Sequence, residues 1–244
     1  MEISIIIPAY NEEMRIGRTL IEIRDYVKSN PLIKKWEIIA VDDGSKDKTR
    51  EIVQEQIEQD KDNLIRLNCK RENRGKGFSV KEGALLAKYN TVLFSDADLS
   101  TPIEELSNFL TEIPHYDIVI GSRALKESNI KQHQPFYREF IGKTFNLLVR
   151  KITGLDIHDT QFGFKLFKDC RNLFEQQKIE RFSFDVELLY LANRNEKKIL
   201  EKPVTWINDE RSKVSAIKDS YRMFRDLIKI RWMHRKAQNN ANKQ

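Results

Sequence analysis

The chain has 244 residues, 40% apolar and 33% charged, with nine Gly and six Pro. That length suits one α/β domain, and the composition excludes collagen, coiled-coil and low-complexity architectures. The net charge is +6 but uneven: from Arg211 to the end ten Lys and Arg face two Asp, a local +8, and Ser122–Gly154 carries a local +5. Two basic segments on a near-neutral body suggest anionic partners: phosphates, acidic lipid or nucleic acid.

Ile3–Ile7 is an apolar run interrupted only by Ser4 and begins without a signal-peptide pattern, and no window approaches the roughly 18 apolar residues of a bilayer-spanning helix, so the expected place is the cytoplasm. Further β-branched runs recur at Glu37–Val41, Leu64–Leu67, Thr91–Phe94 and Asp117–Ile120. Such short, largely apolar runs read as strands covered on both faces. Helical patterns lie between them: Ile16, Leu20, Ile23 and Val27; then Ile52, Gln56 and Gln59 after a cap at Ser45 or Asp47; then Phe78–Tyr89. The alternation indicates an open, doubly wound, mostly parallel Rossmann-like sheet with helices on both faces, which binds ligands at the carboxyl ends of its strands.

The second half is less regular. Pro135–Ile152 reads as a helix with Phe136, Phe140, Phe145, Leu148 and Ile152 apolar and Arg138, Lys143, Arg150 and Lys151 basic. Phe162–Phe167 and Ile199–Trp206 read as strands around a helix at Phe184–Ala192. A last amphipathic helix carries Ile217, Tyr221, Phe224, Ile228 and Trp232 on one side, and the tail from Ala237 reads as disordered. Cys69 and Cys170 stand apart and the four His are scattered, which argues against a disulfide framework, a structural zinc or a His-built metal site.

Three polar clusters follow predicted strands: Pro8-Ala9-Tyr10-Asn11-Glu12-Glu13, Asp42-Asp43-Gly44-Ser45 and Asp96-Ala97-Asp98. Asp and Ser also cap helices, so one such loop alone reads as a cap; three on one sheet edge point to a site. Asp96 and Asp98 sit at i and i+2 in a non-helical turn, a spacing at which carboxylates share a hard divalent cation that itself contacts phosphates. Arg74-Gly75-Lys76-Gly77 reads either as a helix-start turn or as a phosphate contact. Asp185 either positions ligand hydroxyls or, with Glu187, is a solvated residue flanking an apolar helix.

The succession IIIPAYNEE, VDDGS, NRGKG, DADLS, GSR, DTQFGFKLF, FDVELL and SK resembles the family 2 glycosyltransferases over residues 2–232. Within them it is similar to the branch that makes polyprenyl-phosphate sugars, the dolichyl-phosphate glucosyltransferases and mannose synthases, with DTQFGFK and FDVE nearer the glucosyltransferases. The resemblance implies a GT-A-like fold and an inverting, Mg2+- or Mn2+-dependent transfer of glucose from UDP-glucose to a polyprenyl phosphate. It implies that Pro8, Tyr10, Glu12, Asp42 and Asp43 hold the base and ribose, that Asp96, Ala97 and Asp98 hold the metal and diphosphate, and that Lys213 closes over the phosphates beside Lys76. Arg123 and Arg138 would meet the acceptor phosphate, and Asp159, Thr160, Gln161 and Gly163 would line the sugar and acceptor pocket, so that Asp98, Arg123, Asp159 and Gln161 carry catalysis. Two positions depart: Ser100 stands where mannose synthases carry Gln, and Arg211 where the glucosyltransferase pattern carries Gly.

The implied organisation is a glycosyltransferase domain over 1–213, a basic helix over 214–236 and a tail over 237–244. Within the domain, residues 1–121 would bind the nucleotide sugar and residues 122–213 the acceptor. The basic helix would lie on an anionic membrane from the cytoplasmic side; the alternative is that its apolar seam packs on the domain. Rival functions are the same fold with GDP-mannose or a sugar-hydroxyl acceptor, and a non-catalytic nucleotide-binding module on a membrane. Nucleic-acid binding is set aside because the aromatics follow helical spacing instead of interleaving with the basic residues.

Overall fold

The structure is a computed structural model that describes residues 1–132, 136–207 and 216–235, with backbone alone for 136–140 and 216–221. The first half alternates strictly: β1 (Glu2–Ala9), α1 (Ile16–Ser29), β2 (Lys35–Asp42), α2 (Thr49–Gln59), β3 (Ile65–Cys69), α3 (Lys76–Leu86) and β4 (Thr91–Ser95). A 3-10 turn (Ile103–Glu105), α4 (Leu106–Glu112), β5 (Ile118–Ser122), β6 (Asn129–Gln132) and α5 (Phe136–Thr153) follow. The chain closes with β7 (Phe164–Lys168), α6 (Arg171–Gln176), α7 (Phe184–Arg194), β8 (Ile199–Pro203), β9 (Thr205–Ile207) and α8 (Ala216–Met233).

Seven strands form one sheet in the order β3-β2-β1-β4-β7-β5-β8, and β6 pairs with β9 apart from it. All pairings in the large sheet are parallel except those of β7, which runs antiparallel between β4 and β5. The central strands β1, β2, β4 and β5 are mostly apolar because both faces are covered. Ile5, Ile7, Ile38 and Leu93 pack under Leu20, Ile23, Val53 and Phe109 on one side. Ile6, Ile39, Phe94 and Ile120 pack under Val80, Val149, Phe184 and Leu227 on the other. Chain order reverses between β1 and β4, and an open α/β sheet leaves its ligand crevice at the carboxyl ends of such a pair. The loops after β1 and β4 are those that carry Pro8–Glu13 and Asp96–Asp98.

Several expectations need correction. Ile199–Trp206 is two strands, because Pro203 has no N–H to extend a ladder and the chain leaves the large sheet at Val204 to pair with β6. The third helix runs over Lys76–Leu86, starting earlier than Phe78 and ending before Tyr89. β6, α4 and α6 have four, seven and six residues, too short to show a period. In α8 the inward residues are Leu227 and Ile230, fully buried, with Met223 packed beside them. Phe224, Ile228 and Trp232 are 38%, 54% and 76% exposed, so these three residues of the expected seam do not pack on the domain. Ile217 and Tyr221 lie in α8, but their side chains, like that of Arg138 in α5, fall outside the description, as do Pro135, Arg211, Lys213 and the tail from residue 236.

Candidate active site

The first two polar loops are stitched together by side chains. The Asn11 N–H donates to Ser45 Oγ at 2.9 Å, the Lys46 N–H to Asn11 Oδ1 at 2.8 Å, and the Glu12 N–H to Thr49 Oγ1 at 2.7 Å. The N-cap position of α2 is Lys48, neither Ser45 nor Asp47, although Asp47 accepts the Thr49 N–H at 3.0 Å from just before it. Glu12 pairs with Arg15 at 2.6 Å. Asp42 is fully buried and pairs with Arg50 Nε at 2.5 Å while accepting the Ser45 N–H at 3.1 Å. Its carboxylate therefore holds the turn from behind and does not line the crevice. Asp43 does line it, and accepts the backbone N–H groups of Arg74 at 3.0 Å and Gly75 at 2.7 Å. Burial raises the Asp43 carboxyl above its ordinary range, against the pull of those two amides.

Gly75 is fixed by this contact. Its φ of +118° suits glycine alone, and a Cβ there would stand 2.6 Å from the Glu180 carbonyl oxygen. The next residue, Lys76, opens α3 and turns its ammonium to Asp96, with Nζ 2.5 Å from Oδ1. The RGKG turn is thus a helix start that also delivers a cation to the crevice. Asp96 Oδ1 is buried yet makes no aligned hydrogen bond, and Asp96 Oδ2 packs so tightly on Gly163 that a Cβ there would lie 2.0 Å away. Asp98 accepts the Ser100 N–H at 2.9 Å; burial first, then the charge of Asp96, raises its carboxyl. Behind Lys76 lies Asp185, paired at 2.7 Å with Lys165, both almost fully buried. Burial would depress the Lys76 ammonium, but Asp96 and Asp185 outweigh it and raise it.

Pro8, Ala9, Tyr10, Glu12, Asp43, Lys76, Asp96, Ala97 and Asp98 thus border one cavity of about 390 Å³. Arg15, Asn73, Ser79, Arg181 and Phe182 border it too and were not among the expected site residues. Arg181 and Phe182 come from the segment between α6 and α7, where no motif announces them. Ser79, one turn into α3, has a buried hydroxyl without a hydrogen-bond partner, a signal only the structure can show.

The acceptor-side residues form a second group. Arg123 donates to Asp159 through its backbone N–H at 3.0 Å, Nε at 2.8 Å and a terminal nitrogen at 3.0 Å. Burial acts to raise Asp159, but Arg123 overrides it and holds the carboxyl below its usual range. The guanidinium lies over Phe162 and Trp206, 5.5 and 5.2 Å from the ring centres. Both rings also border a small pocket with Asp96 and Asp98, so Arg123 stands one aromatic layer from the acidic pair. Thr160 donates to Asn146 at 3.0 Å, and Gln161 Nε2 lies 3.9 Å from Met223 Sδ on α8. Asp185 and Glu187 are not solvated: they are 4% and 0% exposed. Glu187 accepts the N–H groups of Lys178 and Ile179 and contacts His234 Nε2 at 2.7 Å.

The model of glycosyl transferase family 2 matches residues 4–170. A dolichyl-phosphate beta-glucosyltransferase of Dictyostelium discoideum is 36% identical over 244 residues, covering 95% of this chain and 74% of that protein. One of Trichomonas vaginalis is 38% identical over 245 residues, covering 96% and 74%. Among solved structures, glucosyl-3-phosphoglycerate synthase from Mycobacterium tuberculosis in complex with Mn2+, UDP and phosphoglyceric acid superposes with a TM-score of 0.65 at 18% identity, covering 94% of this chain and 76% of that one. At that identity the likeness shows the fold, that of the GT-A glycosyltransferases.

Proposed function

We propose that this chain, which belongs to glycosyl transferase family 2 and is a glycosyltransferase, transfers glucose from UDP-glucose to a polyprenyl phosphate of the dolichyl kind, with inversion. The observation that carries the reading is the convergence of Asp43, Lys76, Asp96 and Asp98 on one cavity at the reversal of sheet order. The relatives at 36% and 38% identity supply the sugar and the lipid class.

Pro8, Tyr10 and Glu12 wall the side of the cavity suited to a base and ribose, with Asp43 holding the Arg74–Gly75 backbone beside it. Asp96 and Asp98 would hold Mg2+ or Mn2+: both border the cavity, the inner oxygen of Asp96 has the Lys76 ammonium as its partner, and burial and the charge of Asp96 raise the Asp98 carboxyl, a cost that a hard cation relieves. Such an ion, when bound, offsets the charge that grows on a diphosphate leaving group. Lys76 adds a cation on the same side, and Lys213 is assigned to the phosphates from the far end of the chain.

A phosphate monoester loses its second proton at a pKa of about 6 and is a nucleophile at neutral pH without help from a strong base. The structure's carboxylates agree with that economy. Asp159 is engaged by Arg123, and Asp185 by Lys165, so both position neighbours instead of standing ready to take a proton. Arg123 presents the planar fork that matches a phosphate, Arg138 on α5 is assigned to the same phosphate, and Thr160 and Gln161 line the approach.

The lipid is reached from α8. Phe224, Ile228 and Trp232 form an exposed apolar stripe, and Arg225, Lys229, Arg231 and Arg235 are exposed around it. Among the described residues no helix is long and apolar enough to cross a membrane. Each basic residue near an anionic leaflet contributes about 1 kcal/mol, enough in sum for reversible attachment on the cytoplasmic face. Vesicle co-sedimentation should require anionic lipid, weaken with salt and fall with Trp232→Ala; binding indifferent to all three removes this route. For the reaction, the chain is incubated with UDP-glucose, GDP-mannose and other nucleotide sugars and with polyprenyl phosphates, and the lipid product is read by mass spectrometry. A glucosyl phosphate lipid made only from UDP-glucose is expected. Product from GDP-mannose alone, or no lipid product from any pair, overturns the reading.

A further inference from the structure

We propose that Lys76 is the resident counter-cation of the Asp96–Asp98 pair, and that a divalent ion can settle there only as Lys76 swings away, so that metal and nucleoside diphosphate enter together. The inference rests on the donor site proposed above and concerns the order in which it fills.

The Asp96 carboxylate is engaged through both of its oxygens. One oxygen is pressed on Gly163, where even a methyl group would collide at 2.0 Å, and the other faces Lys76 Nζ at 2.5 Å. At that distance the ammonium is the neutralising partner of this oxygen, even without the alignment of a full hydrogen bond. Giving that contact up leaves both charges unserved unless the ammonium gains another anionic partner. The backbone at Lys76 cannot follow the side chain, because Gly75 is held by Asp43 at 2.7 Å and packed on Glu180. Any exchange must therefore be a swing of the side chain alone, and it has room, since the side chain is 28% exposed and borders the open cavity.

Charge balance gives the order. Asp96, Asp98 and Asp185 stand against Lys76 and Lys165, a near-neutral group in which Asp185 is already served by Lys165 at 2.7 Å. A divalent ion entering with Lys76 in place would put two cations on one carboxylate and leave the cluster positive. Nucleoside diphosphate supplies the missing negative charge in the cavity and gives the displaced ammonium a new partner. Metal alone is then resisted and metal with diphosphate accepted, which is positive coupling between two ligands of one site.

The test measures Mn2+ binding to the full chain, with free Mn2+ followed by electron paramagnetic resonance, with and without UDP. Lys76→Met should bind Mn2+ alone about tenfold or more tighter than the wild type, and UDP should tighten Mn2+ in the wild type far more than in that variant, as reciprocal coupling demands. Lys76→Arg, which keeps the charge, should behave like the wild type. If Lys76→Met unfolds without metal and Mn2+ restores its melting transition, that also supports the exchange. Equal or weaker Mn2+ affinity in a folded Lys76→Met, with UDP enhancement intact in both proteins, overturns the counter-cation and leaves the metal-dependent reading standing. Failure of both Lys76→Met and Lys76→Gln to fold at any Mn2+ concentration makes Lys76 a fixed structural cation and overturns it as well. Absence of Mn2+ binding to the wild type even with UDP overturns both readings together.

Discussion

Replacing Asp159 by Asn tests whether the acceptor-side arginine is held or merely nearby. Asp159 is 4% exposed in its side chain and accepts three bonds from Arg123, two of them from the guanidinium fork at 2.8 and 3.0 Å. Asn keeps one acceptor oxygen but turns an NH2 group toward a donor, so one contact to the fork becomes repulsive and the bonds that remain lose the carboxylate charge. A hydrogen bond to a charged group contributes about 1.5–3 kcal/mol. The Arg123 side chain is 33% exposed, so water recovers some of the loss, and about 2–3 kcal/mol remains. For a chain of this size that is roughly a 4–12 °C fall in melting temperature. The sign with pH follows from the depressed carboxyl: its stabilisation is present above the unfolded value of about 3.9 and is lost as pH falls through the lower folded value. The gap between wild type and Asp159→Asn should be full at pH 7 and shrink below about pH 4, as read by urea denaturation at a series of pH values. Acceptor KM should rise while UDP affinity stays level, because Arg123 lies outside the donor cavity. A loss under about 0.5 kcal/mol at pH 7, or a gap that does not narrow in acid, refutes the reasoning.

Asp98→Asn should lower turnover by at least about 10²-fold, the scale of one strong electrostatic contact, and yet raise the melting temperature near pH 7. The raised carboxyl means that folding penalises the anion, a cost that is absent below the unfolded value of about 3.9, accumulates as pH rises to the raised folded value and is constant above it; a lower melting temperature at pH 7, or full wild-type activity in EDTA, contradicts this. Gly163→Ala should push Asp96 aside, since the new methyl would stand 2.0 Å from its oxygen, and weaken UDP binding with Mn2+ by about tenfold or more in calorimetry; unchanged affinity shows that Asp96 is not pinned there. Gly75→Ala, at φ +118° and 2.6 Å from a backbone oxygen, should cost about 2–4 kcal/mol in denaturation; a cost near zero means that the Asp43 clasp can open.

The donor half was legible because its chemistry is local. Asp96 and Asp98 follow a strand directly, and the strand's end fixes where they stand; the same holds for Pro8–Glu12 and Asp43. Asp42 shows the limit of that reasoning. It shares the motif with Asp43, but successive residues leaving a strand point to opposite sides, so Asp43 meets the cavity while Asp42 turns back to Arg50. Arg181 and Phe182 were not legible, because what brings them to the donor cavity is Glu187 holding the Lys178 and Ile179 amides, a tertiary contact with no periodic trace. β9 was hidden for a similar reason: its partner β6 is a four-residue strand, and neither would be recognised without the other.

The orientation of α8 illustrates a deeper ambiguity. The sequence carries two apolar stripes one residue apart, Met223–Leu227–Ile230 and Phe224–Ile228–Trp232, and period alone ranks the second higher because it is larger and more aromatic. Polar contacts decide instead. His234, one turn past Ile230, reaches Glu187 at 2.7 Å, and Arg231 donates to the Ile152 carbonyl at 2.6 Å. Rotating the helix by one residue, about 100°, would bury the aromatic stripe but tear His234 from a fully buried carboxylate, leaving it only the Lys178 and Ile179 amides at a cost of about 1–3 kcal/mol. The same Glu187 positions the segment that ends in Arg181 and Phe182. One buried carboxylate therefore sets both the wall of the donor cavity and the face of α8 that is left outward, so an aromatic stripe exposed to solvent is a consequence of how the donor site is built.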